Sequence, residues 1–220
     1  MLNNKSTIMK QLFFILLSIV IVSQGIAQSE KFTKAMTTNI ATFDSAKTAD
    51  DMLAASAAFE RIGDAEKTQW LPYYYASLSQ VLYTFMKNDM TQTDAYANKA
   101  NDLLKKADAL QPKNSEISCV KAMIATLHLI VNPQNRWQEY GPVMQTELDN
   151  AKKQDPTNPR PYYLQGQNLR NTPEQFGGGC NTAKPLLEEA LKKYADFKPA
   201  STIAPNWGKG QVEKTLATCQ

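Results

Sequence analysis

Along most of the chain, apolar residues recur every three to four positions between polar ones, the spacing of helices with one buried stripe. The stretch 100–112, ANDLLKKADALQP, shows it most clearly: Ala100, Leu104 and Ala107 share a face, and Pro112 stops the helix five residues later. Small residues at the outer positions let a second helix come close, and the Leu between them fills the gap. The same spacing returns at Met144, Leu148 and Ala151, with Pro156 five residues on. It returns again at Ala183, Leu187 and Ala190, and more loosely at Ala55, Phe59 and Ile62. These triplets start 45, 44 and 39 residues apart, a near-regular series that points to a repeated helix pair. One pair cannot hide its own apolar stripe, so successive pairs are expected to stack.

The pattern predicts nine helices, at about 30–46, 50–63, 69–88, 93–110, 114–131, 137–154, 158–171, 181–195 and 207–219. The first eight form four pairs, and the ninth closes the open end. Thr48 or Asp50, Thr91 or Thr93, Asn114 and Asn158 are placed to cap helix starts. Pro112, Pro133, Pro156 and Pro199 fall in the gaps, and Pro72, Pro161 and Pro185 fall in first turns, where a missing N–H costs nothing. Pro142 is the exception and is expected to shift or kink the sixth helix. Gly177-Gly178-Gly179 is too short for a tether between domains and reads as a tight turn, with Phe176 expected to tuck back against the stack. Three glycines before a helix could instead present N–H groups to an anion.

Ala100-x3-Leu104-x2-Ala107-x4-Pro112 resembles the second-helix signature of the tetratricopeptide repeat, and Tyr162, Gly166 and Leu169 match its fainter first-helix signature. Asn114-x7-Ala122 aligns with Asn158-x7-Gly166, and the resemblance covers roughly residues 50 to 195. The units exceed the family's period of about 34 residues, and the Leu-Gly pair is lacking outside Gly166. The resemblance implies an all-α, right-handed α-solenoid of about four helix pairs, in which first helices form a concave wall that takes up a peptide or a partner's helix. Carried over from Gly166, it places Arg160, Tyr163, Gln167, Arg170 and Asn171 on that wall; carried over from Ser77, it adds Tyr74. Arg and Tyr bury area while still hydrogen-bonding, which suits recognition.

At the N-terminus, Lys5 and Lys10 precede an apolar run from Leu12 to Val22, followed by Gly25, Ile26 and Ala27 and then the polar Gln28-Ser29-Glu30. A basic head, a short apolar middle and a small-residue exit describe a secretory signal peptide, residues 1–27, cleaved after Ala27. The run falls short of the about 20 residues a spanning helix needs. Met1 and Met9 both fit as its start. Residues 28–220 are then one soluble, exported helical domain, periplasmic or secreted. Residues 1–27 carry two Lys and no acid, so 22 basic groups face 21 acidic ones in the remainder. That balance offers no field for nucleic acid or an anionic membrane.

Three cysteines remain, Cys119, Cys180 and Cys219. Cys119 lies in a helix between Ile117 and Val120 and reads as a small buried hydrophobe. If the eighth and ninth helices run antiparallel, Cys180 at the start of one meets Cys219 at the end of the other, which favours a disulfide over two free thiols. Chain entropy puts the value of that closure at about 4 kcal/mol.

His128 is the sole histidine and stands at helical spacing from Ile124 and Leu127, as a hydrogen-bonded structural residue would. One His and no cysteine cluster give no zinc or copper ligand set, and no cofactor is expected. No nucleophile motif, phosphate loop or dinucleotide fingerprint occurs, so the chain reads as non-catalytic. The expected function is a scaffold or adaptor that docks a protein or peptide in the concave groove. The alternative is a small-ligand-binding protein of the same fold with a pocket lined by Tyr74 and Tyr163.

Overall fold

The computed structural model describes residues 30–219, and their regular structure is all helical, with no strand among them. In chain order the helices are α1 (described over 30–45), α2 (Ala49–Glu66), α3 (Trp70–Lys87), α4 (Thr93–Leu110), α5 (Ser115–Val131), α6 (Pro133–Gln154), α7 (Arg160–Asn171), α8 (Cys180–Asp196) and α9 (Lys209–Ala217). One turn of 3-10 helix, Glu174–Phe176, lies between α7 and α8. The expected leader, residues 1–27, lies outside the described residues. No helix among those described is long and apolar enough to cross a membrane.

Each helix from α2 onward packs on its chain neighbours, and α3, α5 and α7 also touch one another in a row. That second set of contacts makes the arrangement solenoid-like: α3, α5 and α7 form one layer, and α4, α6 and α8 back it. The triplets read from the sequence are the seams. Ala100, Leu104, Ala107, Leu148, Ala151, Ala183, Leu187 and Ala190 are all buried, and Ala55, Phe59 and Met144 with them. Cross-helix bonds mark the same seams, with the Ser56, Ser77 and Ser115 hydroxyls each donating to a neighbour's carbonyl, of Ala76, Ala100 and Ala151, at 2.8 Å. Each bond satisfies a buried hydroxyl that would otherwise be costly. At Gly166 the approach is close enough that an added Cβ would lie 2.8 Å from Leu187.

The start signals follow local chemistry. Thr48 and Asp51 form a reciprocal capping box at α2, and Asn114 accepts from the Glu116 and Ile117 N–H groups at α5. Neither Thr91 nor Thr93 caps α4, which starts after Gln92 without a side-chain cap. The sixth helix starts four residues earlier than the pattern suggests, because Asn132 caps it and Pro133 occupies its first position. It then runs through Pro142.

The glycine run is a tight turn: Gly177 and Gly179 have φ of +81° and +90°, and a side chain on Gly178 would collide with the Thr172 carbonyl. The Gly179 N–H donates to the Leu169 carbonyl at 2.9 Å. Phe176 does not tuck back; it is 73% exposed, since the turn closes through backbone bonds and leaves the ring outside. Cys119 is buried, and burial pushes its thiol well above the usual range. Cys180 and Cys219 form a disulfide with a Cα–Cα separation of 5.2 Å, tying the end of α9 to the start of α8.

Candidate functional site

Antiparallel packing gathers the starts of α3, α5 and α7 and the ends of α4, α6 and α8 at one end of the helices, along an edge of the row. Between α8 and α9 the chain crosses that end as an irregular strap, residues 197–208. Under the strap opens a cleft of about 730 Å³, lined on the helix side by Trp70, Lys113, Asn114, Glu116, Asp155 and Lys193. Phe197, Lys198, Pro199, Ala200, Ala204 and Pro205 make its other wall.

A polar cluster forms the floor. The Glu116 carboxylate, whose side chain keeps 14% exposure, accepts from the Tyr74 hydroxyl at 3.0 Å, Asn158 Nδ2 at 2.8 Å and Arg160 Nη1 at 2.8 Å. Asn158 Oδ1 accepts the Arg160 N–H at 2.9 Å, so one side chain both takes up a main-chain donor at the start of α7 and orients the acid. Burial pushes the Glu116 pKa up, while Arg160 and the three hydrogen bonds pull against it. Arg160 is fully buried. Its Nη2 donates to the Pro205 carbonyl at 2.8 Å, and its guanidinium carbon lies 4.8 Å from the Phe197 ring centre and 5.1 Å from that of Trp207. A planar guanidinium suits that site, since one terminal nitrogen reaches the carboxylate, the other a strap carbonyl, and the flat face lies against rings.

The strap is fixed at three further points. Trp207 Nε1 donates to the Tyr74 hydroxyl at 2.8 Å, the Tyr194 hydroxyl to the Trp207 carbonyl at 2.8 Å, and the Tyr75 hydroxyl to the Ile203 carbonyl at 3.3 Å. Gly208 sits at φ +112°, and a side chain there would run into the Tyr194 hydroxyl, so the strap can turn into α9 only with glycine at this point. Burial raises Tyr74 and Tyr194 well above the usual phenol range, which keeps both as neutral donors.

The six candidate recognition residues fall in two settings. Tyr74, Arg160 and Tyr163 are buried, and Tyr74 and Arg160 meet at Glu116. Tyr163 is raised to about 12 by burial, a hydrogen bond with Gln167 opposing. Neither Tyr74 nor Tyr163 lines the cleft. Gln167 and Arg170 are partly covered and Asn171 is exposed, farther along α7. The residues that do line the cleft, Lys113, Lys198 and the prolines of the strap, carried no signal in the repeat pattern. They lie in connections, where the only sequence hint is Pro199 and Pro205 bracketing a stretch without helical spacing.

His128 sits in the last turn of α5, away from the cleft floor. Its Nδ1 is 2.7 Å from Asp94, whose carboxylate also receives both terminal nitrogens of Arg136 at 2.7 and 2.8 Å, and its ring stacks on Tyr140. It is a structural residue that joins α5 to the start of α4.

No family model matches the chain, and no curated protein sequence does either. The solved structure of the HusA haemophore from Porphyromonas gingivalis superposes with a TM-score of 0.77 at 34% identity, covering 86% of this chain and 92% of that one. The chain belongs to the HusA family. HusA is an all-helical bacterial protein, and a haemophore is a binding protein rather than an enzyme.

Proposed function

We propose that the protein is an exported, non-catalytic binder of a flat tetrapyrrole such as haem, taken into the cleft beneath the strap. The likeness to a haemophore over 92% of that chain carries this reading. The cleft supports it by size and lining. Its about 730 Å³ falls in the range of about 300–1,000 Å³ typical of small-molecule sites. Trp70, Phe197, Pro199 and Pro205 offer apolar surface for the macrocycle, and Lys113 and Lys198 are cationic partners for its carboxylates. None of the described residues lining the cleft is a His, Cys, Met or Tyr, the usual protein ligands of haem iron. The grip therefore rests on ring and carboxylates, and iron-free protoporphyrin is expected to bind about as well as haemin.

Residues 1–27 serve in this reading as the export signal, and the helix pairs are divergent tetratricopeptide units. Docking of a protein or peptide along the first helices ranks second, because Tyr74 and Arg160 are engaged internally. The test is an absorbance titration of the purified protein with haemin and with protoporphyrin. Trp70→Ala and the pair Lys113→Glu with Lys198→Glu should weaken binding, while Trp137→Ala, exposed at the far end, should not. Saturable binding of neither porphyrin sinks the proposal.

A further inference from the structure

The strap is held unlike the rest of the molecule. Helical residues are locked by successive main-chain bonds, whereas within 197–208 the main-chain bond is Ala204 N–H to the Ser201 carbonyl. Everything else that keeps the strap down comes from side chains: the bonds of Arg160 to Pro205, Tyr194 to Trp207, Tyr75 to Ile203 and Trp207 to Tyr74, and the packing of Phe197, Ile203 and Trp207 on the core. A segment secured only this way can open by itself, because opening breaks a few side-chain contacts and leaves the helix seams intact. Both ends stay tethered, one by α8 and the other by the Cys180–Cys219 disulfide beyond α9. The motion available is therefore a local lift.

Arg160 is central to the hold. It does not line the cleft, yet it grips the strap through a carbonyl and two rings, and its counter-charge, Glu116, reaches the cleft floor. We infer that Arg160 is a positioning residue that latches the 197–208 strap as a movable wall of the ligand cleft, so that ligand enters and leaves when this latch releases while the helical row stays folded. The inference rests on the reading of the cleft as the ligand site.

Two measurements separate the latch from that reading. The first is hydrogen–deuterium exchange of the unliganded protein, followed by mass spectrometry. Strap amides should exchange well before those of α3, α5 and α7 in the wild type. In the double variant Glu116→Gln with Arg160→Met, which strands no buried charge, strap exchange should rise about tenfold with helix protection unchanged, the scale of one lost charge-assisted hydrogen bond. Tyr194→Phe, which deletes only one hydroxyl, should produce a smaller rise and covers the case in which the double variant fails to fold. The second measurement is transfer of haemin from loaded protein to apomyoglobin, which both variants should accelerate.

Strap amides as protected as the helices in the wild type, or strap exchange unmoved in folded variants, would overturn the latch. Faster strap exchange with an unchanged haemin transfer rate would overturn its role in ligand exchange. Failure of the wild type to load haemin or protoporphyrin would overturn the ligand reading instead.

Discussion

Glu116 and Asp94 each meet an arginine, and their surroundings push them in opposite directions. Glu116 is raised by burial, with Arg160 opposing. Asp94 is lowered to about 2, first by its hydrogen bonds from Arg136, then by His128, with burial opposing. An aspartate in an unfolded chain titrates near about 3.9, so the Asp94 interaction contributes stability that is whole above that pH and is lost as pH falls toward 2. Asp94 is 42% exposed, so solvent screens the gain. Melting temperature measured from pH 5 down to pH 2 (about the span in which an aspartate with this shift titrates) should fall more steeply for the wild type than for Asp94→Asn. Parallel curves would contradict the assignment. At this scale the sequence is informative about which side chains matter and poor about where they point. Tyr74 and Arg160 stand out by residue type and helix position, but their partners Trp207 and Pro205 lie 133 and 45 residues away, beyond the reach of any face assignment on a single helix pair.

At the level of helices, periodicity reports whatever packing repeats. The triplets built on Leu104, Leu148 and Leu187 lie where α4, α6 and α8 meet their neighbours, and their burial follows from the same spacing that makes them visible in the chain. Gly166 extends that logic to the facing helix. Alanine there would favour the helix by about 0.5–1 kcal/mol, but its Cβ would press on Leu187, which is fully buried and has no room to yield. Gly166→Ala should therefore lose about 1 kcal/mol net in urea unfolding, and a stabilised variant would show that α7 and α8 can separate freely. Connections are less legible than helices. Phe176 is apolar and beside a turn, which suggests burial, yet the backbone bonds of Gly177, Gly178 and Gly179 close the turn without it. Pro133 likewise reads as a break until Asn132 is seen to cap the helix that it begins.

On the scale of the whole molecule, the repeat explains a row and leaves its ends undetermined. What completes one end is the strap, which has no periodic signal because it is neither helix nor strand and touches α3 and α7 from far along the chain. The cleft follows from that crossing, so the candidate site was the least readable part of the sequence. The cysteines were readable only in outline, through an antiparallel geometry that α8 and α9 do adopt. Their bond has a topological outcome: α8, the strap and α9 form a covalently closed ring. A protease that cuts once in the strap would leave every atom still attached. Such a nicked protein should migrate as one species in a non-reducing gel and release a C-terminal fragment of about 2 kDa only after a thiol is added, because the detached piece is held through a single sulfur bridge.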